Sequence, residues 1–598
     1  MSEEQRTRLD ALRRLLAQRG LDGFILPLTD EHGSEYVPAY ARRLEWLTGF
    51  TGSAGTAVVL TDGPAALFVD GRYTLQAAEE VPEELYEHCG VPADDPLDWI
   101  ARKAKAGARI GFDSKLHPKS WYEKAARRLA ARGITLVPLA ADPVDALWED
   151  QPARPAAPAR PHPVTFAGEA SADKRRRLGE AVADRGARLA VITALDSVAW
   201  LFNIRGEDVL HTPVVMAFAL LHADGRADLF IAPEKVTEEL RRHLGSEVTI
   251  HPYDGFFALL AGLRADAGPV LADPATHSVA VFEALEKAGV RVVEGEDPCV
   301  LPKACKNPVE IAGAQAAHLR DGAAVSAFLA WLDAAIAAGE EIDELTAAAR
   351  LEAFRRQQDR FIDLSFDSIV GAGPNGAIVH YRVSERTNRR LEPGTLFLVD
   401  SGGQYLDGTT DITRTVPVGE APEDARRHFT LVLKGHIALS RARFPEGTAG
   451  QQLDALARRP LWEAGLDYDH GTGHGVGSFL SVHEGPQRIA KTASMVALRP
   501  GMILSNEPGY YRAGAYGIRI ENLVVVEEDE EGPDGRRFYR FRTLTRAPID
   551  RRLIVVEMLE PEERRWLDQY HARVFEDLAP LVDERTRDWL RRMTRPIG

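Results

Sequence analysis

The chain has 598 residues and a formal net charge of −16, from 73 Lys and Arg against 89 Asp and Glu. This length exceeds what one hydrophobic core supports, so about three or four domains are expected. The negative charge repels nucleic acid and anionic membranes. Cys89, Cys299 and Cys305 lack CxxC spacing, which excludes a disulfide framework and a thiolate zinc site.

The N-terminus is charged and lacks the apolar core of a signal peptide. Nowhere does the sequence contain the run of about 18 uncharged apolar residues that a membrane span needs. We therefore expect a cytoplasmic protein that binds neither membranes nor nucleic acid. The basic run Lys174–Arg177 indicates a solvated helix face, with a nucleic-acid contact as the alternative.

Residues 1–157 are predicted to form a first α/β domain. Leu9, Leu12 and Leu16 recur at helical spacing. Strand-like runs follow at residues 23–26, 56–60 and 65–70. Five prolines between Gln151 and Pro163 favour an extended, semi-rigid connector, and we expect the domain boundary there.

A second α/β domain is predicted over residues 158–302. A charged helix over Asp173–Arg185 leads to strand-like runs at 189–193 and 214–218. The similar order of elements in the two domains suggests a duplicated fold, although the sequence shows no clear repeat.

The remaining residues, 303–598, differ in character. Pro308 suits a first helical turn, so a helix is predicted over Asn307–Leu332, and a second over Glu341–Arg356. Strand-like runs rich in Gly, His, Asp and Glu follow. The last fifty residues, about 549–598, return to amphipathic helices over 560–573 and 586–592, which favours packing or oligomerisation.

Two carboxylates lie beside the strand-like runs of this region. The apolar run Leu396–Val399 ends at Asp400, and a second run, Thr410–Val416, contains Asp411. A lone carboxylate at the end of an apolar run is usually a cap. Two on neighbouring strands repel each other unless a proton or a cation lies between them. If the two runs pair as strands, Asp400 and Asp411 face each other.

A matching arrangement follows about a hundred residues later. The apolar run Met502–Asn506 ends at Glu507, and residues 516–526 alternate as a strand that places Arg519 and Glu521 on one face. A carboxylate within such a strand is costly to bury without a partner. Arg519 is one candidate partner for Glu521, but it cannot account for Glu507 as well.

Between these runs lies a glycine-rich segment with histidines. It reads His470-Gly-Thr-Gly-His474-Gly-Val-Gly477, and His483 follows. The segment is neither GxGxxG nor GxxxxGK[ST], which argues against a phosphate-binding loop. Glycine lets backbone approach a crowded site and leaves the histidines as the large side chains. A lone histidine is more often structural, whereas three within fourteen residues, flanked by carboxylates, indicate a site.

Together these features form an oxygen-rich set of ligands for metal ions. Its members are Asp400, Asp411, His474, Glu507 and Glu521. Four carboxylates and one imidazole, without a thiolate, suit Mn²⁺, Co²⁺, Fe²⁺ or Mg²⁺ better than a structural zinc ion. Bridging carboxylates would hold two ions about 3.5–4 Å apart, a spacing that activates water for hydrolysis.

The order Asp, Asp, His, Glu, Glu, at spacings of 11, 63, 33 and 14 residues, resembles the pita-bread metallopeptidases. Several motifs are similar to the three-domain Xaa-Pro aminopeptidases (aminopeptidase P) of eukaryotic, cytosolic type. They include Asp400-Ser-Gly-Gly-Gln-Tyr-Leu-Asp-Gly-Thr-Thr-Asp411, Asn506-Glu-Pro-Gly-Tyr-Tyr511, Asp30-Glu-His-Gly-Ser-Glu-Tyr36, Asp70-Gly-Arg-Tyr73 and Trp566-Leu-Asp-Gln-Tyr-His571. The resemblance covers essentially the whole chain.

The resemblance implies a mixed α/β (α+β) fold, with two creatinase-type N-terminal domains before a pita-bread catalytic domain. It also implies removal of an N-terminal residue from peptides with proline at the second position. Xaa-Pro is a tertiary amide without an N–H, which general peptidases handle poorly. A homodimer with two divalent ions is expected, with Mn²⁺ favoured over Co²⁺ and Zn²⁺.

The family's residue roles transfer to matching positions. Asp400, Asp411, His474, Glu507 and Glu521 are the implied metal ligands, with Glu507 also the general base. His380 and His483 would position the substrate, and His470 would donate to the developing oxyanion. Arg519 would orient a ligand carboxylate.

Two other assignments remain open at this stage. A prolidase would cleave only dipeptides, although such an enzyme needs one N-terminal module and this chain has room for two. A non-catalytic binding protein with this fold would be expected to have lost ligands. Creatinase keeps the fold without the metal ligands, so fold alone would not establish a metallopeptidase.

Overall fold

A computed structural model describes residues 2–264 and 267–597. Contacts divide the chain into two compact units. One comprises Met1–Val164 and Glu169–Val300, and the other comprises Thr165–Gly168 and Leu301–Gly598. The boundaries expected at residues 157 and 302 stay predictions.

The N-terminal part of the first unit alternates helices and strands. Its helices are α1 (Ser2–Gln18), α2 (Arg43–Thr48), α3 (Thr74–Glu80), α4 (Pro96–Lys103) and α5 (Lys119–Ala130). Its strands are β1 (Gly23–Pro27), β2 (Thr56–Leu60), β3 (Ala65–Val69), β4 (Glu87–Gly90), β5 (Arg109–Asp113) and β6 (Thr135–Leu139). The predicted first helix is confirmed, because Leu9, Leu12 and Leu16 are buried in the core.

Further along the chain the same pattern recurs. The elements are β7 (Arg160–Pro161), α6 (Val164–Ala167), α7 (Ser171–Asp184), β8 (Leu189–Ile192), α8 (Leu195–Phe202), β9 (Ile204–Arg205), β10 (Ala217–His222), β11 (Ala227–Ile231), α9 (Glu238–Leu244), β12 (Val248–Pro252), α10 (Phe256–Ala261), β13 (Val270–Ala272), α11 (Val279–Ala288), β14 (Val292–Glu294) and α12 (Val300–Ala304).

The two sheets of this unit have the same topology. The first has the order β4-β3-β2-β1-β5-β6 and the second has the order β12-β11-β10-β8-β13-β14. Counted along their own segments, both orders are 4-3-2-1-5-6, and equivalent strand pairs run in the same relative directions. The suggested duplication of the fold is therefore confirmed at the level of topology.

Two expectations for the second α/β domain are wrong. The strand expected to start at Val214 begins only at Ala217. The basic run is not a fully solvated face, because Lys174 and Arg175 are buried. Lys174 Nζ donates to the Trp200 carbonyl oxygen at 3.0 Å and to Asn203 Oδ1 at 2.8 Å. These acceptors come from residues remote in sequence, which charge patterning cannot anticipate.

The second unit, which also includes all but the first residue of α6 and of α12, carries the remaining elements. They are α13 (Pro308–Ala338), α14 (Glu344–Arg355), β15 (Phe361–Leu364), β16 (Ile369–Ala372), β17 (Thr395–Ser401), β18 (Gly403–Tyr405), β19 (Gly408–Thr409), β20 (Ile412–Val418), α15 (Glu423–Ser440), β21 (Arg443–Pro445), α16 (Gln451–Glu463), β22 (Gly473–Gly475), β23 (Glu484–Ile489), β24 (Ile503–Asn506), β25 (Gly509–Arg512), β26 (Tyr516–Arg519), β27 (Asn522–Asp529), β28 (Phe538–Thr543), α17 (Pro561–Leu578) and α18 (Glu584–Met593).

The predicted helix after Asn307 is confirmed and extends to Ala338. Asn307 caps it and forms a capping box with Glu310, and Pro308 occupies the first turn. By length and composition, α13 is apolar enough to cross a membrane, with a mean hydropathy of 1.4 over its most apolar window. Of that window 61% is buried inside the protein, as in the core helix of a globular fold.

Two sheets of this unit carry the carboxylates singled out in the sequence. One has the order β16-β17-β20 and the other the order β21-β28-β27-β24-β22-β23. The single strand expected over residues 516–526 is instead two strands, β26 and β27, interrupted at Ile520 and Glu521. β26 pairs with β25, whereas β27 pairs with β24 and β28, so Glu521 lies where the chain passes between sheets.

Candidate metal centre

The first two carboxylates lie on a pair of antiparallel strands. β17 pairs with β20 so that Asp400 lies opposite Thr413, and Asp411 immediately precedes β20. Leu396, Phe397 and Val399 of β17 are buried in the unit's main core, and Asp400 is buried at the end of the same run. Both carboxylates are buried, Asp400 at 7% and Asp411 at 4% exposure.

The two glutamates meet at the end of another strand pair. β24 and β27 are antiparallel, with Asn506 opposite Asn522. Glu507 directly follows Asn506 and Glu521 directly precedes Asn522, so the two glutamates leave the ladder side by side. Glu521 is 1% exposed, and Thr413 Oγ1 donates to its Oε2 at 2.7 Å.

His474 lies on the short strand β22 and faces these carboxylates. Its Nε2 is 3.5 Å from Asp411 Oδ2 and 3.6 Å from Glu507 Oε1. Its Nδ1 lies 2.9 Å from the Gly475 carbonyl oxygen, an arrangement in which Nδ1 carries the proton and Nε2 is left for a metal. One ligand atom each from Asp411, His474 and Glu521 lie within 4.8 Å of one another.

The glycines beside His474 allow this close approach. A Cβ atom at Gly473 would lie 2.0 Å from the Ser505 carbonyl oxygen, and one at Gly475 would lie 2.2 Å from the Glu484 carbonyl oxygen. Neither contact is sterically allowed, so β22 can pack between β23 and β24 only without these side chains. The glycines of this segment therefore allow the neighbouring strands to pack closely around His474.

The buried carboxylates lack enough protein partners for their charge. Within the part of the chain that the structure describes, Asp400 Oδ1, Asp411 Oδ1 and Glu521 Oε1 are buried and accept no hydrogen bond. Burial raises the pKa of the Asp411 carboxyl to about 6. Burial and the carboxylates of Asp411 and Glu507 raise the pKa of Glu521 well above its usual range. Such a cluster is stable only with protons or cations between its members.

The pKa of the His474 imidazole reflects the same excess of negative charge around it. Although burial lowers its basicity, the carboxylates of Asp411 and Glu507 raise the pKa of His474 to about 9. Oxygen atoms without partners, beside one imidazole nitrogen, are the donors that Mn²⁺ and similar ions prefer. The residues present therefore fit a pair of divalent cations.

Arg519 contacts Asp400 rather than Glu521, the partner considered from the sequence. Its Nη2 donates to Asp400 Oδ2 at 2.6 Å, and its Nη1 donates to Tyr511 Oη at 2.6 Å. Tyr511 Oη also lies 2.9 Å from His470 Nε2. A chain of hydrogen bonds thus links the carboxylate of Asp400 to the imidazole of His470.

The sequence assigned no role to Tyr511, which lies in the quoted Asn506–Tyr511 motif. His470 Nδ1 is 2.7 Å from the Gly471 carbonyl oxygen. Tyr511 Oη accepts from Arg519 Nη1, and the protonation state of the His470 imidazole sets which group donates in the hydrogen bond between Tyr511 Oη and His470 Nε2. The only indication of a role for Tyr511 in the sequence was its place in the motif that contains Glu507. Its partners, His470 and Arg519, are set by tertiary packing.

The other two histidines border the same centre. The ring of His483 contacts that of His474 edge-on, with centroids 4.3 Å apart and an interplanar angle of 72°. His380 follows Val379, whose carbonyl oxygen accepts a hydrogen bond from Arg519 Nη2 at 3.3 Å. Both histidines are partly exposed, as groups that meet a substrate must be.

Family models match almost the whole chain. Residues 312–528 match metallopeptidase family M24, and residues 537–597 match the C-terminal region of that family. Residues 8–147 and 150–310 each match a creatinase/prolidase N-terminal domain. The expected mixed α/β fold, with two creatinase-type domains before a pita-bread domain, agrees with these matches.

Among known proteins, aminopeptidase P2 of Arabidopsis thaliana is 41% identical over 99% of this chain and 88% of its own length. A probable Xaa-Pro aminopeptidase P of Talaromyces stipitatus is 40% identical over 99% and 92%. A solved X-prolyl aminopeptidase of Caenorhabditis elegans, a cytosolic enzyme with a di-nuclear active site, is 35% identical. It matches with a TM-score of 0.95 over 99% of this chain and 100% of its own.

Proposed function

Because this chain belongs to metallopeptidase family M24, we propose that it is a Xaa-Pro aminopeptidase that releases the N-terminal residue from peptides with proline second. The observation that carries this proposal is that the likeness to aminopeptidases P extends over 99% of the chain. It includes both N-terminal domains rather than the M24 region alone. All five implied metal-ligand positions carry the required residue types.

We propose that Asp400, Asp411, His474, Glu507 and Glu521 hold two divalent cations. When bound, such a pair supplies Lewis-acid stabilisation of the substrate carbonyl and lowers the pKa of an attacking water. The buried oxygens of Asp400, Asp411 and Glu521, which accept no hydrogen bond from the described residues, support this assignment. The oxygen-rich donor set favours Mn²⁺, with Co²⁺ or Zn²⁺ as alternatives.

Glu507 is proposed as the general base that removes the proton of the attacking water. Its Oε1 lies 3.6 Å from His474 Nε2 and accepts from Ser505 Oγ at 3.1 Å. Only this one side-chain hydrogen bond to it is observed among the described residues. Glu507 is also less buried than the other carboxylates, with 17% of its side chain exposed, which supports contact with solvent and substrate.

His380 and His483 are proposed to position the substrate's N-terminal and carbonyl groups, and His470 to donate to the developing oxyanion. Arg519 is proposed to orient Asp400. Its two short hydrogen bonds, to Asp400 and to Tyr511, support that role. A rigid partner of this kind sets the direction of a ligand's free oxygen.

The substrate proposal is tested with matched peptides on enzyme loaded separately with Mn²⁺, Co²⁺ or Zn²⁺. We expect release of the first residue from a Xaa-Pro-Pro tripeptide, highest with Mn²⁺, and far slower release from Xaa-Ala-Pro. Activity confined to a Xaa-Pro dipeptide would identify a prolidase instead. Fewer than one bound ion per chain after loading would favour a non-catalytic binding protein.

We further propose that the protein is a cytoplasmic homodimer. The C. elegans enzyme is described as cytosolic, and the second unit leaves the indole of Trp462 on α16 46% exposed, an apolar group that a partner chain can cover. Light scattering after gel filtration is expected to give twice the chain mass of 65.7 kDa. A monomer mass at micromolar concentration contradicts the dimer.

A further inference from the structure

Helix α17, in the C-terminal extension, sends aromatic side chains into the interior of the second unit. Tyr570 is 6% exposed, and Trp566 stacks on it with ring centroids 5.4 Å apart and planes 6° apart. These residues belong to the motif Trp566–His571, to which the proposed reaction gives no role. Tyr570 contacts Arg414 and Trp566 contacts His436, and these two residues hydrogen-bond to groups beside Glu507 and Glu521.

The first of these contacts runs through Arg414, a buried residue of β20. Arg414 Nη2 donates to Tyr570 Oη at 3.0 Å and to Asn522 Oδ1 at 2.8 Å. Its Nη1 donates to the Glu521 carbonyl oxygen at 2.6 Å. One guanidinium therefore holds the peptide group of Glu521 and the side chain next to it, and Tyr570 is one of the acceptors that orient this guanidinium.

The acceptors of Arg414 among the described residues are neutral oxygens rather than a carboxylate. Its remaining hydrogen bonds go to the carbonyl oxygens of Thr413, Ala547 and Pro548. Tyr570 Oη in turn donates to the Ala547 carbonyl oxygen at 2.8 Å. A buried cation held only by dipoles is sensitive to their number and placement, and Tyr570 Oη is one of three acceptors that share the two hydrogens of Arg414 Nη2.

The second contact runs through His436, a fully buried residue of α15. Trp566 contacts its ring edge-on, with centroids 6.0 Å apart. His436 Nε2 accepts from Asn522 Nδ2 at 3.2 Å, and its Nδ1 donates to the Asn506 carbonyl oxygen at 3.1 Å. The imidazole thereby bridges the two asparagines that lie opposite each other on β24 and β27, one beside each glutamate.

We propose that α17 positions Glu507 and Glu521, and that Tyr570 is a positioning residue of the metal centre. Both contacts from this helix lead, through Arg414 and His436, to the peptide group of Glu521 and to the asparagines beside the two glutamates. Ordinary core packing would stabilise the unit without this selectivity. The inference rests on the proposed function only in taking the two glutamates as metal ligands.

The variant Tyr570→Phe tests the proposal, since it removes one hydroxyl and keeps the ring stacked on Trp566. Calorimetric titration of the metal-free protein with Mn²⁺ is the readout. We expect the more weakly bound ion to dissociate about tenfold more readily, the lower end of the effect of losing an outer partner of a ligand. At saturating Mn²⁺ we expect kcat to recover with KM unchanged.

The variant Trp589→Phe is the matched control. Trp589, on α18, donates from Nε1 to Asp333 Oδ2 at 2.7 Å, so this variant also removes one partly buried hydrogen bond of the C-terminal extension. It touches neither asparagine, and we expect both ions to bind as in the wild type. Equal weakening in Trp589→Phe and Tyr570→Phe would reduce the role of Tyr570 to packing and overturn the proposal.

Trp566→Phe tests the second contact independently, should Tyr570→Phe fail to fold. We expect a smaller loss of affinity for the same ion. The smaller phenylalanine ring reduces the contact with His436, while Tyr570 and Arg414 remain in place. Wild-type affinities in every folded variant would overturn the proposal. Mn²⁺ binding is measured without a peptide, so a failure of the Xaa-Pro activity is distinguishable from a failure of this inference.

Discussion

Replacing Asp411 by Asn is expected to remove one metal ion and nearly all peptidase activity. Asp411 is buried, its Oδ2 lies 3.5 Å from His474 Nε2, and its Oδ1 accepts no hydrogen bond from any described residue. The amide is neutral and keeps one oxygen, so it cannot bridge two cations. The loss should exceed the 10- to 100-fold, roughly, that removal of an outer partner of a ligand costs.

Metal analysis after Mn²⁺ loading, with kcat on a Xaa-Pro-Pro peptide, measures both effects. The metal-free variant should melt no lower than metal-free wild type, because one of several mutually repelling carboxylates is gone. Asp407→Asn is the matched control, since Asp407 is an equally buried carboxylate that Arg320 and Arg360 neutralise. It should lower stability yet retain two ions. Wild-type turnover in Asp411→Asn would refute the two-metal mechanism.

The second large effect is expected from His470→Ala, which should lower kcat about a hundredfold or more while two ions stay bound. Loss of a single donor to a developing oxyanion typically costs about 10²–10³ in kcat. The imidazole of His470 hydrogen-bonds with the Gly471 carbonyl oxygen and with Tyr511 Oη, neither of which belongs to the proposed ligand set. Metal content should therefore be nearly normal, in contrast to Asp411→Asn.

His428→Ala is the control for this experiment. His428 is also partly buried and its Nδ1 lies 2.9 Å from the hydroxyl of another tyrosine, Tyr516, but it has no contact with the ligand set. Its variant should keep turnover near the wild-type value. If His470→Ala loses metal in proportion to activity, His470 supports the ligands rather than the substrate. Tyr511→Phe combined with His470→Ala should add little, because groups that act as one unit are not additive.

Part of the fold can be predicted from residues that are close together in the sequence. The start of α13 is one such case, because Asn307, Pro308 and Glu310 each favour a helix N-terminus by themselves. The shared topology of the two N-terminal sheets is another, since the order of helices and strands recurs in both. These predictions depend on neighbours within a few residues, and they were confirmed.

Other expectations failed where partners lie far apart in sequence. Residues 516–526 alternate like one strand, yet both faces are buried throughout. Alternation carries no information about a break when both sides of a strand are covered, so the interruption at Glu521 was invisible. Lys174 and Arg175 can be buried because carbonyl oxygens accept hydrogen bonds from them. The acceptors are Trp200 of α8 for Lys174 and Gly225, in a turn, for Arg175.

By itself, the sequence determined the chemistry of the ligand set. Four carboxylates and an imidazole beside apolar runs predict an excess of buried negative charge that protons or cations must relieve, whatever the detailed path of the chain. The tertiary structure alone decided what surrounds them. Arg519 contacts Asp400 rather than Glu521, Tyr511 reaches His470, and Tyr570 reaches Asn522 through Arg414. Such hydrogen bonds depend on ångström-scale distances between segments up to 156 residues apart, which no local pattern encodes.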